Sequence, residues 1–218
     1  MSTFALPEKQ QGKKLPFVIL DAGHGGLNPA NGHYTTAPSK MWEFKNWTFY
    51  EGVFNRLVVK EIAVLLDAMG IPYEIVSHKW QDNSRPDRVA KVQNIVRRQG
   101  NSVLFSIHAN AANTNNPNFF HAKGYMVFTS KGQTKSDAIA ETLWQKLQKH
   151  LPTRQGRKDL SDGDLDYEAS FDMLALTPCP AVLLECGFFT NEEEALFLMQ
   201  PATQKAIATA IVETIVTL

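Results

Sequence analysis

Residues 17–26, FVILDAGHGG, decide how this sequence is read. The apolar run PFVIL over 16–20 has the character of a buried strand, and it opens at once into a turn carrying Asp21, His24 and glycines at 23, 25 and 26. Glycine frees the backbone to turn sharply and lets a bulky ligand come close. A histidine presented at the end of a buried strand is informative only if suitable partners arrive at the ends of other strands.

Outward from that stretch, strand and helix patterns alternate. Phe54, Val58, Ile62, Leu65 and Met69 recur at steps of three and four, predicting a helix over 51–69 closed by Gly70. PYEIV (72–76) is a second strand. Ser84 with Asp87 starts a helix through Val89, Val92 and Val96 that ends at Gly100. SVLFSIH (102–108) is a third strand and KGYMVFTS (123–130) a fourth. Ala140, Leu143, Trp144, Leu147 and Leu151 stripe a helix over 136–150. CPAVLLE (179–185) is the last strand, and residues 192–217 form one or two closing helices broken at Pro201. The alternation predicts an α/β fold around a largely parallel sheet, whose ligands collect beyond the carboxyl ends of the strands.

Composition narrows the class. The chain has 218 residues, 44% of them hydrophobic, a length suited to one large domain. Its 22 basic residues balance 22 acidic ones, so no global field favours nucleic acid or an anionic membrane. Apolar runs all fall short of the roughly 20 residues that span a bilayer. A monomer acting without nucleic acid or membrane is expected. MSTFALPEKQQGKK lacks an apolar core of signal-peptide length, so residues 1–15 read as an extension of a chain made in the cytoplasm, unless a leader was trimmed. Cys179 and Cys186 fit neither a redox pair nor a thiolate cage and are expected to be buried free thiols.

Polar residues gather where an α/β sheet would use them. His24 follows the first strand, His108 closes the third and Glu185 closes the last. Stepping the 54–69 stripe back by three reaches Glu51, which places a carboxylate on the inward face of its helix. Buried charge without a counter-charge costs several kcal/mol or more. Taken singly, Glu51 could cap its helix, Glu185 could pair with Arg85 or Arg88, and His108 could be a core histidine. A zinc site of two histidines and a glutamate, with a second glutamate beside it, accounts for all of them together. His33, His78, His121 and His150 are expected to be solvated.

ILDAGHGG (19–26), EGVFN (51–55), FSIHANAA (105–112) and AVLLECGFFTNEEEA (181–195) resemble, in order and wording, the zinc-dependent N-acetylmuramoyl-L-alanine amidases of the amidase-3 type, which cut peptidoglycan. The resemblance runs from about residue 16 to the end and makes 16–218 the catalytic domain. It implies a twisted, mostly parallel sheet of about six strands with helices on both faces, zinc held by His24, Glu51 and His108, and Glu185 as the catalytic acid–base. Water activated at zinc would then attack the amide between N-acetylmuramic acid and L-alanine, as in an autolysin or a phage endolysin acting on the wall. A non-catalytic peptidoglycan binder, or a zinc peptidase acting within the stem peptide, are the alternatives. Asn55, one turn after Glu51, is a candidate to orient that carboxylate, and Asp21 to accept from a ligand histidine or to cap the turn. Alanine stands at 22 where the family more often has proline, and the 26 residues between His24 and Glu51 make a longer interval than the family leads one to expect. That interval ends in Trp42, Phe44, Trp47, Phe49 and Tyr50, spaced as neither strand nor helix. Trp42, Trp47 and Asn110 are candidate substrate contacts; the rings could equally anchor the loop.

Overall fold

Pleating divides strand β1 (Phe17–Ala22) between two interiors: Val18, Leu20 and Ala22 enter one core, Ile19 another. A strand buried on both sides needs helices on both faces, and the chain supplies them. In the computed structural model, which describes residues 7, 12, 14–36, 38–112 and 121–218, α1 (Glu51–Ala68), α3 (Lys135–His150) and α6 (Pro201–Ile215) build the larger core. The smaller core, on the other face, takes α2 (Arg85–Gln99) and the short α4 (Asp172–Ala175), with Val89, Val92, Ile95, Met173 and Leu174 against Leu104, Ala181 and Leu183. A further helix, α5 (Glu192–Leu198), follows the last strand. The expected extension over residues 1–15 falls mostly outside the described residues.

The main sheet has six strands in the order β4 (Tyr73–Ile75), β1, β5 (Ser102–Asn110), β8 (Ala181–Phe188), β6 (Met126–Thr129), β7 (Tyr167–Glu168). The first four run parallel, and β6 lies antiparallel to β8. From β1 the chain crosses through α1 to β4 at the edge, then returns through α2 to β5 on the other side of β1. The carboxyl ends of β1 and β5 therefore flank the point where strand order reverses, the position at which open α/β sheets bind ligands.

Local signals set the boundaries. Ser84 Oγ accepts the Asp87 amide, and Gly100, at φ 74°, closes α2. Thr134 and Asp137 form a reciprocal capping box on α3. Pro201 opens α6 after the break, where a missing N–H costs nothing.

The segment before Glu51 departs from the irregular loop read in the sequence. Residues Met41–Glu43 (β2) and Thr48–Tyr50 (β3) pair as an antiparallel hairpin, Trp42 opposite Phe49. Phe49 is fully buried and stacks on Phe189 at 5.4 Å, and Trp42, Phe44 and Trp47 pack against the larger core. Alternation was obscured because the turn at 45–46 shifts its phase: Trp42 and Phe44 share one face of the ribbon with Trp47 and Phe49, yet the two pairs have opposite parity in the sequence. Two of the histidines expected in solvent are also engaged: His78 Nδ1 accepts the Trp80 and Gln81 amides, and His150 pairs with Glu213 at 2.9 Å. Cys186 is a buried free thiol as expected, and Cys179 is half-buried and free.

Candidate metal centre

Three ligand-type side chains meet at the strand reversal. One ligand atom from each of His24, Glu51 and His108 lies within 4.8 Å of the other two. Glu51 Oε1 is 3.0 Å from His108 Nδ1 and 3.4 Å from His24 Nε2, and it also accepts the Ala109 amide at 3.3 Å. The two rings are edge to face at 5.0 Å.

Each of the three side chains is delivered by a different local device. His108 lies on the face of β5 that also carries Leu104 and Ser106, and its strand neighbour in β8 is Glu185. Glu51 is the first residue of α1, whose inward stripe brings the carboxylate to 1% exposure. His24 sits past the end of β1 with φ 62°, a left-handed conformation that non-glycine residues rarely adopt. Gly23 and Gly25 beside it serve space rather than turning. A β-carbon at 23 would meet the His108 ring at 2.0 Å, and one at 52 would meet the Gly25 carbonyl at 1.7 Å. The left-handed turn falls on the histidine itself, held because Asn55 donates to the Gly23 carbonyl at 3.0 Å and Thr36 accepts the Gly25 amide.

Those bonds revise two expectations. Asn55 grips the loop that presents His24, not the Glu51 carboxylate. Asp21 accepts from Arg88 at 2.7 Å and from Ser106 at 2.8 Å, not from a ligand histidine: it leaves β1 on the face that carries Ser106 and α2, and the Arg88 guanidinium and Ser106 hydroxyl occupy it there. Arg88 is thereby occupied, and Arg85 faces Asp172 at 3.6 Å, so neither neutralises Glu185.

Electrostatics divide the two glutamates. Burial opposes ionisation of Glu51, but the His108 contact and the charges of His108, His24 and Lys40 hold its carboxyl below the ordinary range. Glu185 has fewer partners: burial, with the Glu51 charge, pushes it up to about 7 against the pull of His108 and Lys40. Its Oε2 is buried without a hydrogen-bond partner. Burial takes His24 down to about 4, so its imidazole is neutral at pH 7 and offers a lone pair. The donor set fits a metal: a neutral imidazole, an ionised carboxylate and a second imidazole converge, with Glu51 Oε1 turned to both rings and Lys40 on its other oxygen.

A cleft of about 440 Å³ opens over this cluster. It is lined by His24, His108 and Glu185 together with Asn110 and Lys40, and by the apolar side chains of Phe171 and Met173. Trp42 and Trp47 are not among its lining residues. Sequence reasoning missed Lys40 and Phe171 and offered Arg88 to Glu185 when it pairs with Asp21; none carries a local signal, since each reaches the cleft through a tertiary contact.

Fold and site together define an α/β protein with a His/Glu/His metal-type centre and a free glutamate beside it. The amidase-3 pattern of N-acetylmuramoyl-L-alanine amidases matches residues 18–217, and the chain belongs to that family. It is 27% identical over 197 residues to the probable cell wall amidase LytH of Staphylococcus epidermidis, covering 90% of this chain and spanning 56% of that protein's length. Its fold is similar to that of an N-acetylmuramoyl-L-alanine amidase from Clostridium difficile 630, with TM-score 0.73 and 25% identity over 94% of this chain and 97% of the other. AmiC2 of Nostoc punctiforme, another N-acetylmuramoyl-L-alanine amidase, gives TM-score 0.70 at 23% identity, over 94% and 98%.

Proposed function

We propose that this chain hydrolyses the amide joining the lactyl group of N-acetylmuramic acid to L-alanine in peptidoglycan, with zinc held by His24, Glu51 and His108 and Glu185 as the proton carrier. The observation that carries the reading is the strand pairing of His108 with Glu185: a candidate ligand and a carboxyl poised near 7, one oxygen of it without a partner, stand side by side in the cleft. Bound zinc with a position open to water supplies a Lewis acid that brings the water's pKa toward about 7.

Glu185, poised near 7, accepts the proton from the attacking water and returns it to the departing amine of L-alanine. His24 and His108 serve as neutral ligands, and the Ala109 amide holds Glu51 Oε1 on their side. Asn110, which lines the cleft, is placed to donate to the muramoyl or peptide carbonyls, and Phe171 and Met173 to pack on sugar or methyl groups.

Digestion of purified peptidoglycan tests the proposal. New L-alanine amino termini, intact glycan strands, and activity lost to a chelator and restored by zinc are expected. New reducing ends would instead indicate a glycosidase, amino termini of later stem residues a peptidase, and wall binding without cleavage a non-catalytic relative.

A further inference from the structure

Among the described residues, three cations line the cleft, and their counter-charges differ. Arg88 is neutralised by Asp21 at 2.7 Å, and Arg85 faces Asp172 at 3.6 Å. Lys40 Nζ lies 3.7 Å from Glu51 Oε2, the oxygen turned away from both histidines. Glu51 cannot fully serve a dication and an ammonium at once. A loaded centre draws the carboxylate's charge to the metal and leaves a half-buried ammonium undercompensated in the cleft, where the low dielectric makes an anion favourable.

The position of Lys40 is built rather than incidental. The Tyr34 hydroxyl donates to the Lys40 carbonyl at 3.0 Å and accepts the Gly52 amide at 3.0 Å. One phenol thus ties the residue bearing the ammonium to the first turn of the helix that bears Glu51. Both Tyr34 and Lys40 come from the long interval between His24 and Glu51.

We propose that Lys40 binds a substrate carboxylate, and that it is the free α-carboxylate of the second stem residue. In peptidoglycan that residue is a D-glutamate linked through its γ-carboxyl, and its α-carboxyl is free in some walls and a carboxamide in others. The carboxyl sits about two Cα steps, roughly 7 Å, from the scissile carbonyl, and Lys40 Nζ stands 3.7 Å from Glu51 Oε2, on the far side of that carboxylate from the histidines. The ammonium makes charge-assisted hydrogen bonds to a carboxylate and gains far less from a neutral amide. The enzyme therefore selects walls whose second residue is not amidated. This inference rests on the amidase reading above.

Calorimetric titration of the zinc-loaded Glu185→Gln protein with two soluble muramoyl dipeptides, one with the free α-carboxylate and one with the carboxamide, tests it. The carboxylate form is expected to bind about 10-fold more tightly, as one charge-assisted contact implies. Adding Lys40→Met should erase the difference with zinc content unchanged, and Lys40→Arg should retain most of it. A ratio untouched by Lys40→Met overturns the proposal, as does failure of the parent to prefer or to bind the carboxylate form. Equal weakening of both ligands together with loss of zinc also overturns it, making Lys40 a positioning residue for Glu51. Wall digestion by the wild type reads the amidase assignment separately: cleavage of both wall types at equal rates sinks the Lys40 proposal alone, and no cleavage of either sinks the assignment.

Discussion

The imidazole of His108 lies against the α-carbon of Gly23, and a β-carbon built there would fall 2.0 Å from its Cε1. The backbone at Gly23 is itself fixed, since its amide donates to the Ile107 carbonyl at 3.0 Å and its carbonyl accepts from Asn55. Gly23→Ala must therefore displace the ring. Overpacking of this kind costs about 1–3 kcal/mol, and the displaced ring no longer faces Glu51. Metal analysis of the purified variant should show zinc reduced well below one per chain; a full complement would refute this account of the glycine.

Glu51 and Glu185 should separate by metal content. Glu51→Ala removes a ligand and the acceptor of the Ala109 amide, so both zinc and part of the folding stability should go. Glu185→Gln should keep zinc and fold while turnover falls by about 10²- to 10⁴-fold, the contribution of a positioned acid–base. Zinc loss in Glu185→Gln with retention in Glu51→Ala would reverse the assignments.

Arg88 is a structural counter-ion. Its ion pair with Asp21 is buried at both ends, with side-chain exposures of 6% and 0%. Removing one partner of such a pair costs about 3–5 kcal/mol because the other charge stays buried alone. Arg88→Met should show that loss in urea unfolding, and Asp21→Asn in the same chain should recover much of it. Full additivity of the two substitutions would argue that they do not act as a pair.

Asp166 should make stability depend on pH. Burial, with nearby Asp164, pushes its carboxyl up from 3.8 to about 7, although the Thr129 hydroxyl favours ionisation. The folded state then binds the proton more tightly than the unfolded chain, so this group's contribution falls as pH climbs from about 4 to about 7 and is level above. Asp166→Asn should gain stability relative to the parent above pH 7 and little near pH 4. Thermal melts across that range that keep a constant difference would show that Asp166 is not the titrating group.

The hairpin rings should matter to folding more than to substrate. Trp47 stacks on Phe44 at 4.7 Å and packs against the larger core. Trp47→Ala should lower Tm, with a loss below the 3–5 kcal/mol typical of a fully buried tryptophan, while KM for soluble muropeptides stays near the parent. A raised KM with unchanged Tm would return the ring to the substrate site.

The sequence by itself determined the elements and the ligand types. Helical stripes such as Phe54–Val58–Ile62 and buried runs such as FVIL mark their elements through spacing alone, because burial acts on every residue at a regular interval. Glu51 was legible for the same reason, as a carboxylate on a stripe otherwise apolar. Lys40 and the pairing of Arg88 with Asp21 were not, because ion pairs between residues at no regular interval leave no periodic trace. The β2–β3 hairpin was hidden by the change of phase at its turn, and the partners of Asn55 and Asp21 were settled by which groups the folded chain brings against α1 and against β1. Tertiary structure alone decided that Gly23 makes room for a histidine 85 residues away and that His24, not a glycine, takes the left-handed turn. Space and charge at such a site are set by atoms that meet only after the strands have paired.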